Sequence, residues 1–169
     1  MKKRVIIFNP SIEGGGVEKN LYLISNYLKK SGILVEILTC NNDKSKKFKK
    51  GIKFIGTRTN FWQNRNRSIK YFICLLILFF NLLRKKNKPL VFSFQANIYA
   101  LLVAKIFNTK IITRSNSAPA GWSKNFFKRN IYKFLINLSD DNIVNSLEFK
   151  KYFKKSFNVD STCIYNPFD

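Results

Sequence analysis

Short runs of consecutive apolar residues alternate along this chain with longer segments in which apolar positions recur every three or four residues. "VIIF", "LVEILTC", "PLVFSF", "KIIT", "DNIV" and "STCIY" are runs of the first kind. Short, nearly continuous apolar runs suit strands buried on both faces, as in a parallel sheet covered by helices. They predict strands near residues 4–9, 34–40, 52–56, 90–93, 110–113, 142–145 and 161–165. The intervening segments carry helical spacing, beginning with Val17, Leu21, Ile24 and Leu28. They predict helices near residues 17–30, 68–85, 98–107, 124–138 and 147–156. Regular alternation of this kind implies an α/β fold, doubly wound and Rossmann-like, with a mostly parallel sheet and helices on both faces. The length suits a single domain over residues 1–169.

In a doubly wound domain, ligands bind beyond the carboxyl ends of the strands. The turn "EGGGVEK" stands there, between the first strand and the first helix, and places Gly14, Gly15 and Gly16 in succession. Three adjacent glycines leave main chain without side-chain bulk, open to close approach, and the following helix supplies unpaired N–H groups and a partial positive charge. Together these make a phosphate or anion site. A merely flexible turn is the alternative. The spacing is neither that of a dinucleotide fingerprint nor that of a P-loop, since no G-x-G-x-x-G and no G-K-[ST] is present.

The segment "YFICLLILFFNLL" (residues 71–83) is apolar on every side. As a helix it spans about 20 Å, short of the roughly 20 residues that a bilayer core requires. It is expected as a helix buried in the core or against a second domain, with insertion into one leaflet of a bilayer as the alternative. The start "MKKR" followed by only four apolar residues does not read as a signal peptide. Three cysteines, Cys40, Cys74 and Cys163, lie far apart in apolar runs and suit reduced core positions in the cytosol. With no histidine, histidine catalysis and most zinc sites are excluded within this chain, and no metal site is expected. The nine acids form no catalytic pair by spacing, except that Glu13 and Glu18 flank the glycines.

Charge alters this picture most. Thirty-one Lys and Arg against nine Asp and Glu give a formal net charge of +22, which calls for an anionic partner: nucleic acid, an anionic bilayer or phosphorylated substrates. A genome rich in A and T would scatter lysines, whereas here they cluster in "KSKKFKK", "RNR", "RKKNK" and "KKYFKK". The lysine-rich residues 41–50 read as a loop.

Four segments in order, "EGGGVEKNLYLISNYLKKSGILVEILT", "PLVFSFQANIYALLVAKIFNTKIITRSNS", "SDDNIVNSLEFKKYFKKSFNV" and "CIYNPFD", resemble the N-terminal half of the family 4 glycosyltransferases of GT-B architecture. The resemblance runs from about Val5 to Asp169. It implies two Rossmann-like domains across a cleft, a nucleotide-sugar held mainly by a C-terminal domain absent from this chain, and an acceptor held mainly by the N-terminal one. It further implies retention of anomeric configuration, no cofactor beyond the nucleotide-sugar co-substrate, and no obligatory metal. This chain alone would then be inactive.

Carried onto this sequence, Gly14, Gly15 and Gly16 would offer N–H groups to the donor diphosphate. Substrate contacts would fall to Glu18, Gln95, Asn97, Arg114, Ser115, Asn116 and Ser146. For Glu18 the alternative is a favourable charge at a helix N-terminus, for Arg114 a surface salt bridge, and for Ser146 a helix cap. Relatives often carry a histidine near residues 114–116, which this chain lacks. The catalytic residues themselves are not legible.

Two segments, "RTNFWQNRNR" and "GWSKNFFKRNIYKF", interleave cations with aromatics. Trp62, Arg65, Arg67, Trp122, Lys124, Phe126, Phe127, Lys128 and Arg129 are the expected contacts to an anionic membrane. The same pairing suits single-stranded nucleic acid, but no recognisable nucleic-acid module accompanies it, so that reading ranks behind the membrane. The resulting expectation is a cytoplasmic hexosyltransferase, peripheral on the inner face of the cell membrane, acting on a lipid-linked or cell-envelope glycan such as lipopolysaccharide. The competing class is a stand-alone binding module that recruits a membrane, a partner subunit or nucleic acid.

Overall fold

Seven parallel strands form one sheet in the order β3-β2-β1-β4-β5-β6-β7. The strands are β1 Arg4–Phe8, β2 Leu34–Thr39, β3 Lys53–Gly56, β4 Leu90–Ser93, β5 Ile111–Ser115, β6 Asp141–Val144 and β7 Thr162–Cys163. The helices are α1 Gly16–Lys30, α2 Arg67–Arg84, α3 Asn97–Ile106, α4 Phe126–Asn137 and α5 Leu147–Phe157, with a short 3-10 turn at Asn60–Trp62. The computed structural model describes residues 3–41, 48–57, 59–116 and 126–166, excepting the side chains of Asn60, Phe126 and Lys128. Most of the lysine-rich loop expected at residues 41–50 lies outside the described residues.

Strand order follows from the chain path. β1 pairs with β2 on one side, placing Ile6 beside Glu36, and with β4 on the other, placing Ile6 beside Val91. The chain thus reverses its direction of travel across the sheet between β3 and β4, and the crevice at the carboxyl ends of β1 and β4 lies at that reversal, where doubly wound folds bind ligands.

Alternation along each strand divides the core in two. Val5, Ile7, Val35, Ile37, Phe92 and Ile143 pack with Leu21 of α1 on one face. Ile6, Phe8, Leu38, Val91 and Ile111 pack with α2 and α3 on the other. A third cluster joins α4 and α5 through Ile136, Val144, Phe153 and Phe157. Cys40 and Cys74 are buried thiols whose Sγ atoms stand 3.5 Å apart.

For the apolar segment 71–83 the structure removes one of the expected settings, complete burial in the core of this domain. α2 buries Lys70, Cys74, Leu78 and Leu82, one row at a spacing of four, while Phe72 (63% exposed), Leu76, Phe80 and Leu83 face outward. Its far side is therefore not buried in the core of this chain. Tyr99, Leu102 and Ile106 of α3, and Phe127, Ile131 and Phe134 of α4, are exposed as well. Among the described residues no helix is long and apolar enough to cross a membrane.

Candidate functional site

The glycine turn begins where β1 ends. Gly14 has φ +96, a left-handed conformation that favours glycine, while Gly15 is extended at φ 163 and caps α1 without any side-chain hydrogen bond. Gly16 opens the helix, and a Cβ at Gly14 or Gly16 would meet nothing within 4 Å. Residues 13–16 are all exposed. The turn thus presents the uncapped N-terminus of a helix, bare of side chains, to the space beyond the sheet. Glu18, in the first turn of α1, is buried, and its Oε2 lies 3.2 Å from where a Cβ on Gly15 would stand.

Distant residues fix this loop. Gln95, immediately after β4, accepts a hydrogen bond from the Ser11 N–H on its Oε1 at 3.1 Å and donates from its Nε2 to the Ser11 carbonyl at 2.9 Å. Asn41 Oδ1 accepts from the Ile12 N–H at 3.0 Å, and Asn9 Nδ2 donates to the Ser11 carbonyl at 3.1 Å. Ser11 Oγ donates to Glu13, which holds the Glu13 carboxyl below the usual carboxylate range, with Arg67 and Lys70 adding to the effect against its partial burial. Lys70, buried in α2, places its Nζ 3.4 Å from Ser11 Oγ and 3.9 Å from Glu13 Oε1. The side-chain amide of Gln95 is thus engaged in bracing the glycine turn.

Beside the turn lies a cleft of about 520 Å³, lined by Val17, the α2 residues Arg67 and Tyr71, the segment from Phe94 to Tyr99, the segment from Arg114 to Asn116, and Tyr132 of α4. Ala96 enters α3 with φ 51, an uncommon conformation for a residue with a Cβ, and caps the helix without a side-chain hydrogen bond. Asn97 ties the rim together: its Oδ1 accepts from Ser93 Oγ at 2.9 Å and its Nδ2 donates to the Arg114 carbonyl at 2.9 Å.

Arg114 is the most unusual group here. It is 1% exposed, so it is not the surface salt bridge that stood as its alternative role. One guanidinium nitrogen donates to Asn166 Oδ1 at 2.9 Å, and that oxygen also accepts from Asn20 Nδ2. Among the described residues Arg114 Nε has no partner, and burial pulls the pKa of the group below the ordinary arginine value. Ser115 Oγ and Asn116 Oδ1 are likewise buried without partners.

The structure separates the remaining expected residues. Ser146 caps α5 by accepting from the Phe149 N–H at 3.1 Å, and it does not line the cleft. Trp62, expected at a membrane face, is partly buried against the core beside α2. Phe61 is exposed instead, with the Arg65 guanidinium 4.0 Å above its ring. Arg67 lines the cleft and lies 5.6 Å from the centre of the Tyr71 ring. Phe127 and Arg129 are exposed on α4, whereas Trp122, Lys124 and the side chains of Phe126 and Lys128 lie outside the described residues. Among the described residues no three His, Cys, Asp or Glu side chains gather as a metal site would require. Tyr71, Tyr99, Tyr132 and Lys70 do not stand out as site residues in the sequence. Lys70 alone leaves a signal there, a lysine in register with Cys74, Leu78 and Leu82 on a helix face that is otherwise apolar.

Comparison with known proteins agrees with this geometry. The structure matches Anabaena HepE, solved in complex with UDP and glucose, at a TM-score of 0.68 and 13% identity, over 99% of this chain and 45% of that one. A glycosyltransferase from Rickettsia africae matches at 0.65 and 18% identity, over 97% and 43%. The lipopolysaccharide outer core galactosyltransferase WaaB matches at 0.61 and 16%, over 98% and 46%. The chain thus spans about half the length of these solved structures. Among curated proteins none matches the sequence. The model of Glycosyltransferase Family 4 matches residues 14–169, from the second residue of "EGGGVEK" to the end of "IYNPFD". With its seven-stranded parallel sheet and a glycine turn at the mouth of a cleft, the chain belongs to glycosyltransferase family 4, as the N-terminal domain of the GT-B fold.

Proposed function

We propose that this domain forms the acceptor side of a retaining hexosyltransferase that works without an obligatory metal at the cytoplasmic face of the cell membrane, on a lipid-linked or cell-envelope glycan acceptor. The observation that carries the reading is the pairing of an uncapped helix N-terminus at Gly14–Gly16 with a cleft of mixed polar and aromatic lining beside it, both beyond the carboxyl ends of the strands. In this reading the glycine turn meets the donor diphosphate, and the cleft seats the acceptor. A second domain outside this chain supplies the ribose, base and sugar contacts.

The domain by itself is then expected to bind nucleotide-sugars no tighter than about millimolar, roughly 4 kcal/mol of binding. Titration calorimetry against a panel of nucleotide-sugars checks this. Micromolar affinity for any of them would remove the need for a second domain in donor binding.

Membrane association is supported by the exposed apolar rows on α2, α3 and α4 together with the positive charge of the chain. The protein should float with anionic liposomes and not with neutral ones. Release is expected as salt shortens the screening length from about 10 Å toward 3 Å. Equal flotation with neutral vesicles would reject electrostatic docking. Tight binding of single-stranded nucleic acid at near-physiological salt would favour the competing partner.

A further inference from the structure

A buried arginine ordinarily sits against a carboxylate, because an unpaired charge removed from water carries a large desolvation penalty. Arg114 has no such partner among the described residues. Its one hydrogen bond among the described residues is to a neutral amide, its Nε is unsatisfied among them, and it lines an open cleft. Among the described residues no Asp or Glu lines that cleft, while a second arginine, Arg67, does. Glu13 and Glu18 do not line the cleft, although Glu13 lies close enough to Arg67, and both close enough to Tyr71, to act on them through charge. The buried Ser115 hydroxyl at the same wall also has a proton to donate and no partner among the described residues. Beside them, α3 is entered through Ala96 with no side-chain cap, so the amides of Asn97 and Ile98 have no partner within the helix. Cations, a hydroxyl and helix-terminal amides converging on one space match a phosphoryl group, which accepts several hydrogen bonds and neutralises buried positive charge.

We propose that the cleft seats a phosphoryl group carried by the sugar acceptor, with Arg114 as its buried counter-charge and Arg67 closing over it from α2. This rests on reading the cleft as the acceptor site and adds the chemical class of acceptor, a phosphorylated one. The same wall explains why the group belongs to the acceptor. Gly14, Gly15 and Gly16 lie outside the cleft, whereas Tyr71, Phe94, Ile98, Tyr99 and Tyr132 offer it apolar and aromatic surface for whatever adjoins the phosphate. Tyr99 is exposed at the mouth and begins a row along α3 that continues through Leu102 and Ile106, both exposed. A tail attached to the phosphate would have a path there.

The test is calorimetry on this chain at constant ionic strength in chloride, with inorganic phosphate, free hexose, a hexose 1-phosphate, farnesyl phosphate and a nucleoside diphosphate as probes. Hexose 1-phosphate or farnesyl phosphate is expected to bind at least about tenfold tighter than free hexose, equal to about 1.4 kcal/mol. A preference for farnesyl phosphate marks a lipid-borne phosphate, and a preference for hexose 1-phosphate a soluble one. Arg114→Lys, which keeps the charge but loses the planar fork, should lower phosphate affinity at least about tenfold. Arg67→Gln, at an exposed position, should lower it several-fold with no change in circular dichroism, so the proposal does not depend on the buried variant folding. Equal affinity for hexose and hexose phosphate, unchanged binding in both variants, or tighter binding of the nucleoside diphosphate than of either phosphorylated probe would each overturn it. None of these readouts needs sugar transfer. Failure of the phosphate site would leave the transferase reading standing, and phosphate binding without transfer by the complete enzyme would do the reverse.

Discussion

Alanine in place of Gly16 is expected to lower kcat/KM at least about tenfold in the complete enzyme, a loss of about 1.4 kcal/mol of transition-state stabilisation, while leaving the fold intact. The geometry makes this a clean experiment. Gly16 is the first residue of α1, its Cβ would meet nothing within 4 Å, and alanine is favoured over glycine in a helix by roughly 0.5–1 kcal/mol. Thermal midpoints should therefore rise slightly or stay within a few degrees. Gly15→Ala should act alike, since φ 163 suits any residue and the added methyl displaces only the end of the Glu18 side chain. Gly14→Ala is the contrast. With φ +96 it forces strain on a residue bearing a Cβ and should cost stability of about 1–2 kcal/mol whatever its effect on transfer. If Gly16→Ala and Gly15→Ala both turn over at the parental rate, the glycines form a turn and nothing more, and donor diphosphate binding must lie elsewhere.

Gln95→Leu is expected to destabilise the chain by about 1–3 kcal/mol, because leucine keeps the apolar bulk of glutamine, leaves the Ser11 N–H without its acceptor and removes one of the two donors to the Ser11 carbonyl, the other being Asn9 Nδ2. Ser11 and Gln95 are both buried, so water is poorly placed to replace the lost bonds. For a chain of this size the midpoint should fall by roughly 2–12 °C, at about 2–4 °C per kcal/mol. In the complete enzyme the same change should raise the KM for the donor, since the loop carrying the glycines loses its anchor to β4. Gln95→Glu separates the two contributions: one carboxylate oxygen still accepts from the Ser11 N–H, while the Ser11 carbonyl keeps only the donor from Asn9 Nδ2. A chemical denaturation midpoint unchanged in Gln95→Leu would mean that the clamp contributes little to the position of the loop.

Much of the architecture is legible in the order of apolar and polar residues. Each strand expected from an apolar run lies within three residues of its observed end, since a strand buried on both faces can be built from little else. The helices are legible for a similar reason: Leu21 faces the core from α1 because it falls on the apolar stripe of that helix. Boundaries slip where capping decides them. α1 starts at Gly16 rather than Val17 because the extended Gly15 is the cap, and β5 runs on to Ser115 because Arg114 and Ser115 still pair with Ile143 and Val144 of β6.

What does not show along the chain is decided across the fold. Periodicity suggests that residues 71–83 are apolar all round, and so buried in the core or against a second domain. The fold gives α2 only one neighbouring face to cover, formed by β1, β2 and α3, and its opposite side remains outward. Cys40 and Cys74, thirty-four positions apart, meet at 3.5 Å only because β2 and α2 pack together. The charge pattern offers Arg67 to a membrane and Arg114 to either a phosphate or a surface carboxylate. The sequence by itself determined the layers of this protein, because local hydrophobic periodicity specifies which side of each element must leave water. The tertiary structure alone decided that Gln95 reaches across 84 residues to hold Ser11, and that Arg114 lies buried beside a cleft with no counter-charge among the described residues. Those outcomes depend on which elements become neighbours, and strand order, set by the reversal between β3 and β4, is not written in any single segment of the chain.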